Sequence, residues 1–196
     1  MAVIPIAAGE IATIVTTLEQ RVRPRPVPLP ESPLRLVRWQ RPDRDKYRAL
    51  FRRVGAPWLW YSRLAMPDSA LAELIHREQT QVHAVIDRAG IEVGLLEFTH
   101  VAPDWCALDF FGLVPELTGK GHGRWLMTIG LMMMWRPTVT FVRVNTCTLD
   151  HPRALGFYRA AGFVPVSQTI ETFPDPRMLG LIDRSAAPHV PLLAAS

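Results

Sequence analysis

The sequence predicts a mixed α/β domain with a central, mostly antiparallel sheet flanked by helices, and three observations carry that expectation. Segments with a two-residue apolar repeat are interleaved with segments of helical repeat in the order strand, two helices, three strands, helix, strand, helix, strand. The three consecutive strands form a meander, the first two joined by the turn Arg88-Ala89-Gly90. A chain of 196 residues that is 48% hydrophobic and 20% charged can bury one sizeable core and lacks the composition of a disordered protein.

Each element has its own reason. IATIVTTLE, residues 11–19, is rich in β-branched side chains and reads as a strand. RVRPRPVPLPESP follows, with prolines that exclude helix and favour an extended connector, so that residues 1–33 read as a strand plus a proline-rich arm. LRLVRW, 34–39, alternates like a half-buried strand and opens the domain proper, expected over residues 34–173. Residues 41–55 read as a helix ended by Gly55, and a second helix runs from an acidic cap at Asp68 to Arg77 along the Leu71, Leu74, Ile75 face. Between them, PWLWYSRL gathers Trp58, Trp60 and Tyr61 in a segment too aromatic for a routine turn. VHAVID, IEVGLLEF and WCALDFFGLV supply the meander. A helix over 122–136 is apolar nearly all round and stops at Arg136-Pro137, as expected of a helix packed on a sheet. Strand 138–149, helix 152–162 and strand 163–173 complete the domain, leaving 174–196 as a tail.

Composition narrows the function. The formal net charge is +4, carried by arginine because Lys46 and Lys120 are the only lysines among 22 basic residues. The arginines are scattered rather than striped, which favours a solvated surface over a nucleic-acid footprint. Cys106 and Cys147 lack metal-ligand spacing and fit a reducing compartment. The apolar N-terminus has no basic flank and carries Glu10, against a signal peptide, and the run from Trp125 to Trp135 is far short of a membrane span. A cytoplasmic protein that binds neither metal, membrane nor nucleic acid is expected.

The stretch LTGKGHGRWLM places Gly119, Gly121 and Gly123 at alternate positions just before a helix. Glycines there allow tight backbone bends and bring N–H groups close to an anion, phosphate above all. The spacing fits neither the NTP-binding loop, because Lys120 precedes Gly121 and His122, nor the dinucleotide fingerprint, whose third glycine would fall at Arg124. A glycine-rich turn with no ligand is the alternative. The loop follows a strand and opens a crossover helix, a position at the carboxyl end of a strand where ligand sites concentrate.

Two segments in order then resemble the GNAT superfamily of N-acetyltransferases. FGLVPELTGKGHGRWLM is similar to the family's acyl-CoA loop, [Q/R]-x-x-G-x-[G/A], with Thr118, Gly121 and Gly123 at its defined positions. HPRALGFYRAAGFVPV is similar to N-x-x-A-x-x-x-Y-x-x-x-G-F, with Ala154, Tyr158, Gly162 and Phe163 matching. The resemblance covers about residues 34–173 and implies a GNAT-like sheet whose acyl-CoA loop lies at a strand-to-helix junction. It implies acetyl-CoA as co-substrate, its pyrophosphate on the amides from Gly119 through Lys120, Gly121, His122 and Gly123 to Arg124, and its pantetheine along a splayed strand near Leu113 and Val114. Thr118 replaces the usual Gln or Arg, and His151 stands where Asn is usual, either touching the cofactor or capping the next helix.

The implied reaction is transfer of an acyl group to an amine of a small molecule or peptide within a ternary complex. An ammonium must lose a proton before it attacks a thioester, and a departing thiolate is helped by a proton donor. Tyr158 matches the family's general acid; a buried packing tyrosine is the other reading. The base is open: the family's glutamate position falls on Ala107, leaving Asp109, on the same strand face, and Glu97 as rivals, with His100 and His122 as further titratable groups. Trp58, Trp60 and Tyr61 are placed to wall an acceptor pocket or to seal the core. The alternative function is a non-catalytic CoA-binding sensor or interaction module, suggested by Ala107 and Thr118. The strand at 11–19 is expected in this sheet or, in a homodimer with exchanged arms, in a partner's.

Overall fold

The computed structural model describes residues 3–193. Among the described residues seven strands form one sheet: β1 Glu10–Gln20, β2 Arg35–Trp39, β3 Thr80–Ile86, β4 Glu92–Ala102, β5 Trp105–Leu113, β6 Phe141–Cys147 and β7 Val164–Pro174. Their spatial order is β2-β3-β4-β5-β6-β1-β7, and every pairing is antiparallel except β5 with β6. Helices α1 Arg44–Gly55, α2 Ser62–Ala65, α3 Asp68–His76, α4 His122–Met134 and α5 Ala154–Ala160 flank it. The mixed, mostly antiparallel architecture expected from the sequence is the one observed.

Local chemistry sets the element ends. Asp43 Oδ1 accepts from the amides of Asp45 and Lys46 and so caps α1, supplying an acceptor to donors that the first helical turn leaves unpaired. Asp68 does not cap α3 as expected; Pro67 holds that position, and Asp68 instead binds Arg48 at 2.6 Å and Arg44 at 2.8 Å, tying α3 to α1. Asp87 Oδ1 accepts from the amides of Ala89 and Ile91, and Gly90 at φ 83° closes the β3–β4 turn. The core between α1, α4 and the sheet is built on Tyr47, Phe51, Leu95, Leu96, Phe98 and Leu126, all fully buried.

Residues 10–20, expected to lie outside the domain core, form an inner strand. β1 pairs with β6 from Val15↔Cys147 to Gln20↔Val142 and with β7 from Glu10↔Pro174 to Glu19↔Val164. Both edges are filled within the chain, so the fold needs no arm exchange. The proline-rich segment then crosses to the far edge of the sheet and reaches the start of α4, where Ser32 Oγ lies 3.2 Å from His122 Nδ1. The tail is also packed. The buried Asp175–Arg177 pair, at 2.7 Å, anchors it while Arg177 Nη1 donates to the carbonyls of Ala186 and Val190. Residues 1, 2 and 194–196, within the expected arm and tail, lie outside the described residues.

A buried histidine gives the fold an acid sensitivity. His83 stacks on Phe98, faces Arg38 across the β2–β3 ladder, and is pushed down to about 4 by burial and then by the Arg38 charge. Unfolded histidine takes up its proton near 6.5, so between about 6.5 and 4 the unfolded chain binds more protons and stability falls as pH falls. Wild type is expected to lose about 2 kcal/mol more than His83→Leu between pH 7 and 4.5, read from urea melts of both proteins.

Candidate active site

The parallel pairing of β5 with β6 runs only from Trp105↔Phe141 to Leu108↔Val144. Beyond it β5 stays with β4 and β6 stays with β1, so the sheet opens like a V. A cavity of about 670 Å³ fills the opening. Residues 109–113 and 145–147 form its two strand walls, Thr118, Gly119, Gly121, Gly123 and Arg124 one rim, and Asp150, His151, Phe157 and Tyr158 part of its lining.

At the rim, Gly119 and Gly121 adopt φ 81° and 86°, where a Cβ would be strained. Among the described residues the amides of 119–123 have no hydrogen-bond acceptor, and α4 starts at His122 with no side-chain cap. The loop is therefore a set of free donors at the positive end of a 13-residue helix. At Gly123, where α4 meets α5, a Cβ would lie 3.6 Å from the Phe157 ring, an ordinary van der Waals contact. Leu113 lines the cavity, whereas Val114, Lys120 and His122 do not. The Val114 amide is already given to the Val93 carbonyl at 2.9 Å, and His122 faces Ser32 of the proline-rich segment. His151 Nδ1 accepts the Arg153 amide at 3.0 Å, so it closes the turn before α5 while its ring also lines the cavity.

Tyr158 lies in the cavity lining with its ring held edge-on by Phe111, Phe157 and Phe163. Burial, and then the Asp150 carboxylate, push its hydroxyl far above the ordinary tyrosine range, so it is a proton donor throughout the physiological range. Asp150, which sequence reasoning missed, is fixed by Trp60 Nε1 at 3.3 Å, Thr146 Oγ1 at 2.8 Å and the Cys147 amide at 3.0 Å.

The rival carboxylates separate. The β4–β5 register passes from Glu97↔Phe110 to Phe98↔Leu108, which leaves Asp109 as the extra residue of a β-bulge. Asp109 lines the cavity, and its carboxyl is pushed up to about 6, first by burial and then by the Glu97 charge. Thr99 Oγ1 donates to Asp109 Oδ2 at 2.6 Å and acts in the opposite direction by stabilising the carboxylate. Glu97 is fully buried and does not line the cavity; it accepts from the Tyr47 hydroxyl and from Arg63 Nε and Nη2 at 3.1 and 2.7 Å. With its oxygens engaged by Tyr47 and Arg63 and away from the cavity, Glu97 is placed as a packing partner, and of the two rival carboxylates only Asp109 reaches the cavity. His100 is buried under Phe98 with Nε2 donating to the Met134 carbonyl, and it too stands away from the cavity.

Trp58, Trp60 and Tyr61 all reach the cavity, each with a packing role as well. Trp60 sits between Phe51 and Phe110 and closes on Gly112, where its Cη2 would lie 3.0 Å from a Cβ. Trp58 meets His151 edge-on with ring centres 5.2 Å apart. Tyr61 stacks on Phe173 of β7 at 4.5 Å. Thr13 of β1 and Glu171 of β7 complete this end, and neither was legible because both enter through long-range strand pairing. Their only local signal was the two-residue repeat of their strands.

Among solved structures, the chain is similar to a tandem GNAT protein from the clavulanic acid biosynthesis pathway, with 18% identity, TM-score 0.54, and coverage of 82% of this chain and 53% of that one. A GCN5-related N-acetyltransferase from Sphaerobacter thermophilus is alike at 18% identity and TM-score 0.55, covering 83% and 51%. An aminoglycoside acetyltransferase from an uncultured soil metagenomic sample is alike at 20% identity and TM-score 0.53, covering 65% and 86%. The chain spans about half the length of the first two. No protein-family model and no curated protein matches it. No helix among the described residues is long and apolar enough to cross a membrane. On these structural likenesses the chain has the fold of the GNAT superfamily of N-acetyltransferases.

Proposed function

We propose that the protein transfers an acyl group, acetyl first among them, from coenzyme A to a primary amine of a small molecule or peptide. The observation that carries this reading is a single cavity that joins the free amides of the glycine loop, the hydroxyl of Tyr158 and the carboxyl of Asp109. The residues fit the co-substrate. No atom stands within 4 Å of where a Cβ at Gly121 would lie, which leaves room for a pyrophosphate, and the unpaired edges of β5 and β6 offer backbone groups to pantetheine amides. When bound, acetyl-CoA supplies the activated thioester.

The chain's residues then divide the proton work. Asp109, as carboxylate, accepts the proton that the acceptor ammonium must shed, directly or through water, which leaves the nitrogen lone pair free to bond the thioester carbon. Tyr158 donates its proton to the sulfur as the C–S bond breaks, and so stabilises the leaving group; the second proton, shed by the acylated nitrogen as it becomes an amide, restores the tyrosine hydroxyl. Tyr61, Phe173 and Trp58 bound the acceptor end with apolar and π surface, and Asp109 and Glu171 set negative charge there, an arrangement suited to a cationic amine.

The test is coenzyme A thiol release from acetyl-CoA across a panel of diamines, amino sugars and lysine peptides. Release with one acceptor class supports the enzyme; tight binding with no release across the panel favours the sensor reading. A second expectation concerns pH. The acid limb of kcat/KM should fall near 6, where Asp109 ionises. Thr99→Val removes a bond that favours the carboxylate, so the limb should move to higher pH by about half a unit. A limb that does not move would remove Asp109 from the reaction.

A further inference from the structure

Thr118, which opens the glycine loop, lines the cavity and carries no charge to set against an anionic pyrophosphate. The structure shows a guanidinium on the other side of the same loop. Arg153 Nη1 is the nearest atom to the space beside Gly119, 3.9 Å from where a Cβ would be, and the residue lines the cavity with Gly119, Gly121 and Arg124. Among the described residues its guanidinium makes no ion pair and no hydrogen bond, although eight other arginine or lysine side chains are engaged in ion pairs.

Its position is built rather than incidental. The Arg153 amide is fixed by His151 Nδ1 at 3.0 Å, which requires the imidazole proton on Nε2, and the His151 ring is held edge-on by Trp58. Pro152 stiffens the same turn. The chain Trp58, His151, Arg153 therefore fixes the backbone from which the Arg153 side chain extends along the cavity toward Gly119.

We propose that Arg153 is the pyrophosphate-binding side chain of the acyl-CoA site, facing the loop amides across the diphosphate and supplying the charge that Thr118 lacks. This rests on the acyl-CoA reading above. Lysine would preserve the charge but not the planar fork of donors. The contribution is that of one charge-assisted hydrogen bond on an exposed side chain.

The experiment is calorimetric titration of coenzyme A and of dephospho-coenzyme A, which keeps the pyrophosphate and lacks the 3′-phosphate, into wild type, Arg153→Gln, Arg153→Lys and the control Arg159→Gln. Arg153→Gln should weaken both ligands by about tenfold and by the same factor, Arg153→Lys by less, and Arg159→Gln by neither. A loss confined to coenzyme A would move the arginine to the 3′-phosphate and overturn the assignment. Equal affinities in wild type and Arg153→Gln would overturn it while leaving the acyl-CoA reading intact. Failure of wild type to bind either ligand would overturn that reading and the assignment with it. Trp58→Leu, which frees the His151 ring, should weaken both ligands by a smaller common factor; no change would remove the positioning chain.

Discussion

Tyr158→Phe is expected to lower kcat by about a hundredfold or more while leaving the fold and acetyl-CoA affinity near wild type. The ring is held by Phe111, Phe157 and Phe163, contacts that phenylalanine keeps. Among the described residues the hydroxyl has no hydrogen-bond partner, so removing it strands no donor or acceptor, and stability should move by less than about 1 kcal/mol. What is lost is a hydroxyl, the proposed proton donor, that burial and the Asp150 charge keep protonated at every working pH. Single-turnover thiol release with calorimetric Kd in parallel separates the two effects. A kcat within threefold of wild type would make Tyr158 a packing residue only.

Glu97→Ala is expected to cost about 3–5 kcal/mol of stability, the largest change of any single substitution considered for this fold. The carboxylate is fully buried and takes donors from Tyr47 and Arg63, while the Arg63 side chain is only 15% exposed and lies over the Phe110 ring. Removing the acid leaves a nearly buried guanidinium without its counter-charge. The double variant Glu97→Leu, Arg63→Met removes both charges and should recover much of the loss, since a buried pair replaced by apolar groups is often neutral. Urea melts of the three proteins decide it. A loss under about 1 kcal/mol for Glu97→Ala would show that water reaches Arg63 and that the pair is not structural.

These two substitutions mark where the sequence was informative. The glycine loop and Tyr158, which line one cavity, were legible as candidates because each is set by spacing within a short segment. The choice between Asp109 and Glu97 was not, since alternation places both on strands and says nothing of partners. The two are set apart in space by a β-bulge at Asp109 and by Arg63, which arrives on the four-residue helix α2 inside a stretch that reads only as aromatic. Strand 11–19 was recognised as a strand, but its place between β6 and β7 depends on pairings more than a hundred residues apart. Thr13, Glu171 and Phe173 enter the cavity by that route. Arg153 was passed over because its neighbour in space, Gly119, is distant in sequence.

Every step proposed for this protein depends on the cavity between β5 and β6 accepting acyl-CoA. The most direct test is calorimetric titration of the full chain with acetyl-CoA, with Gly121→Val as the paired variant. Gly121 is at φ 86° and its Cβ would point into open space, so valine strains the loop and intrudes on the cradle without touching the core. One-to-one binding by wild type and a loss of at least about tenfold in the variant are expected. No heat of binding in a folded wild-type protein, or equal affinity in both, would contradict the acyl-CoA reading.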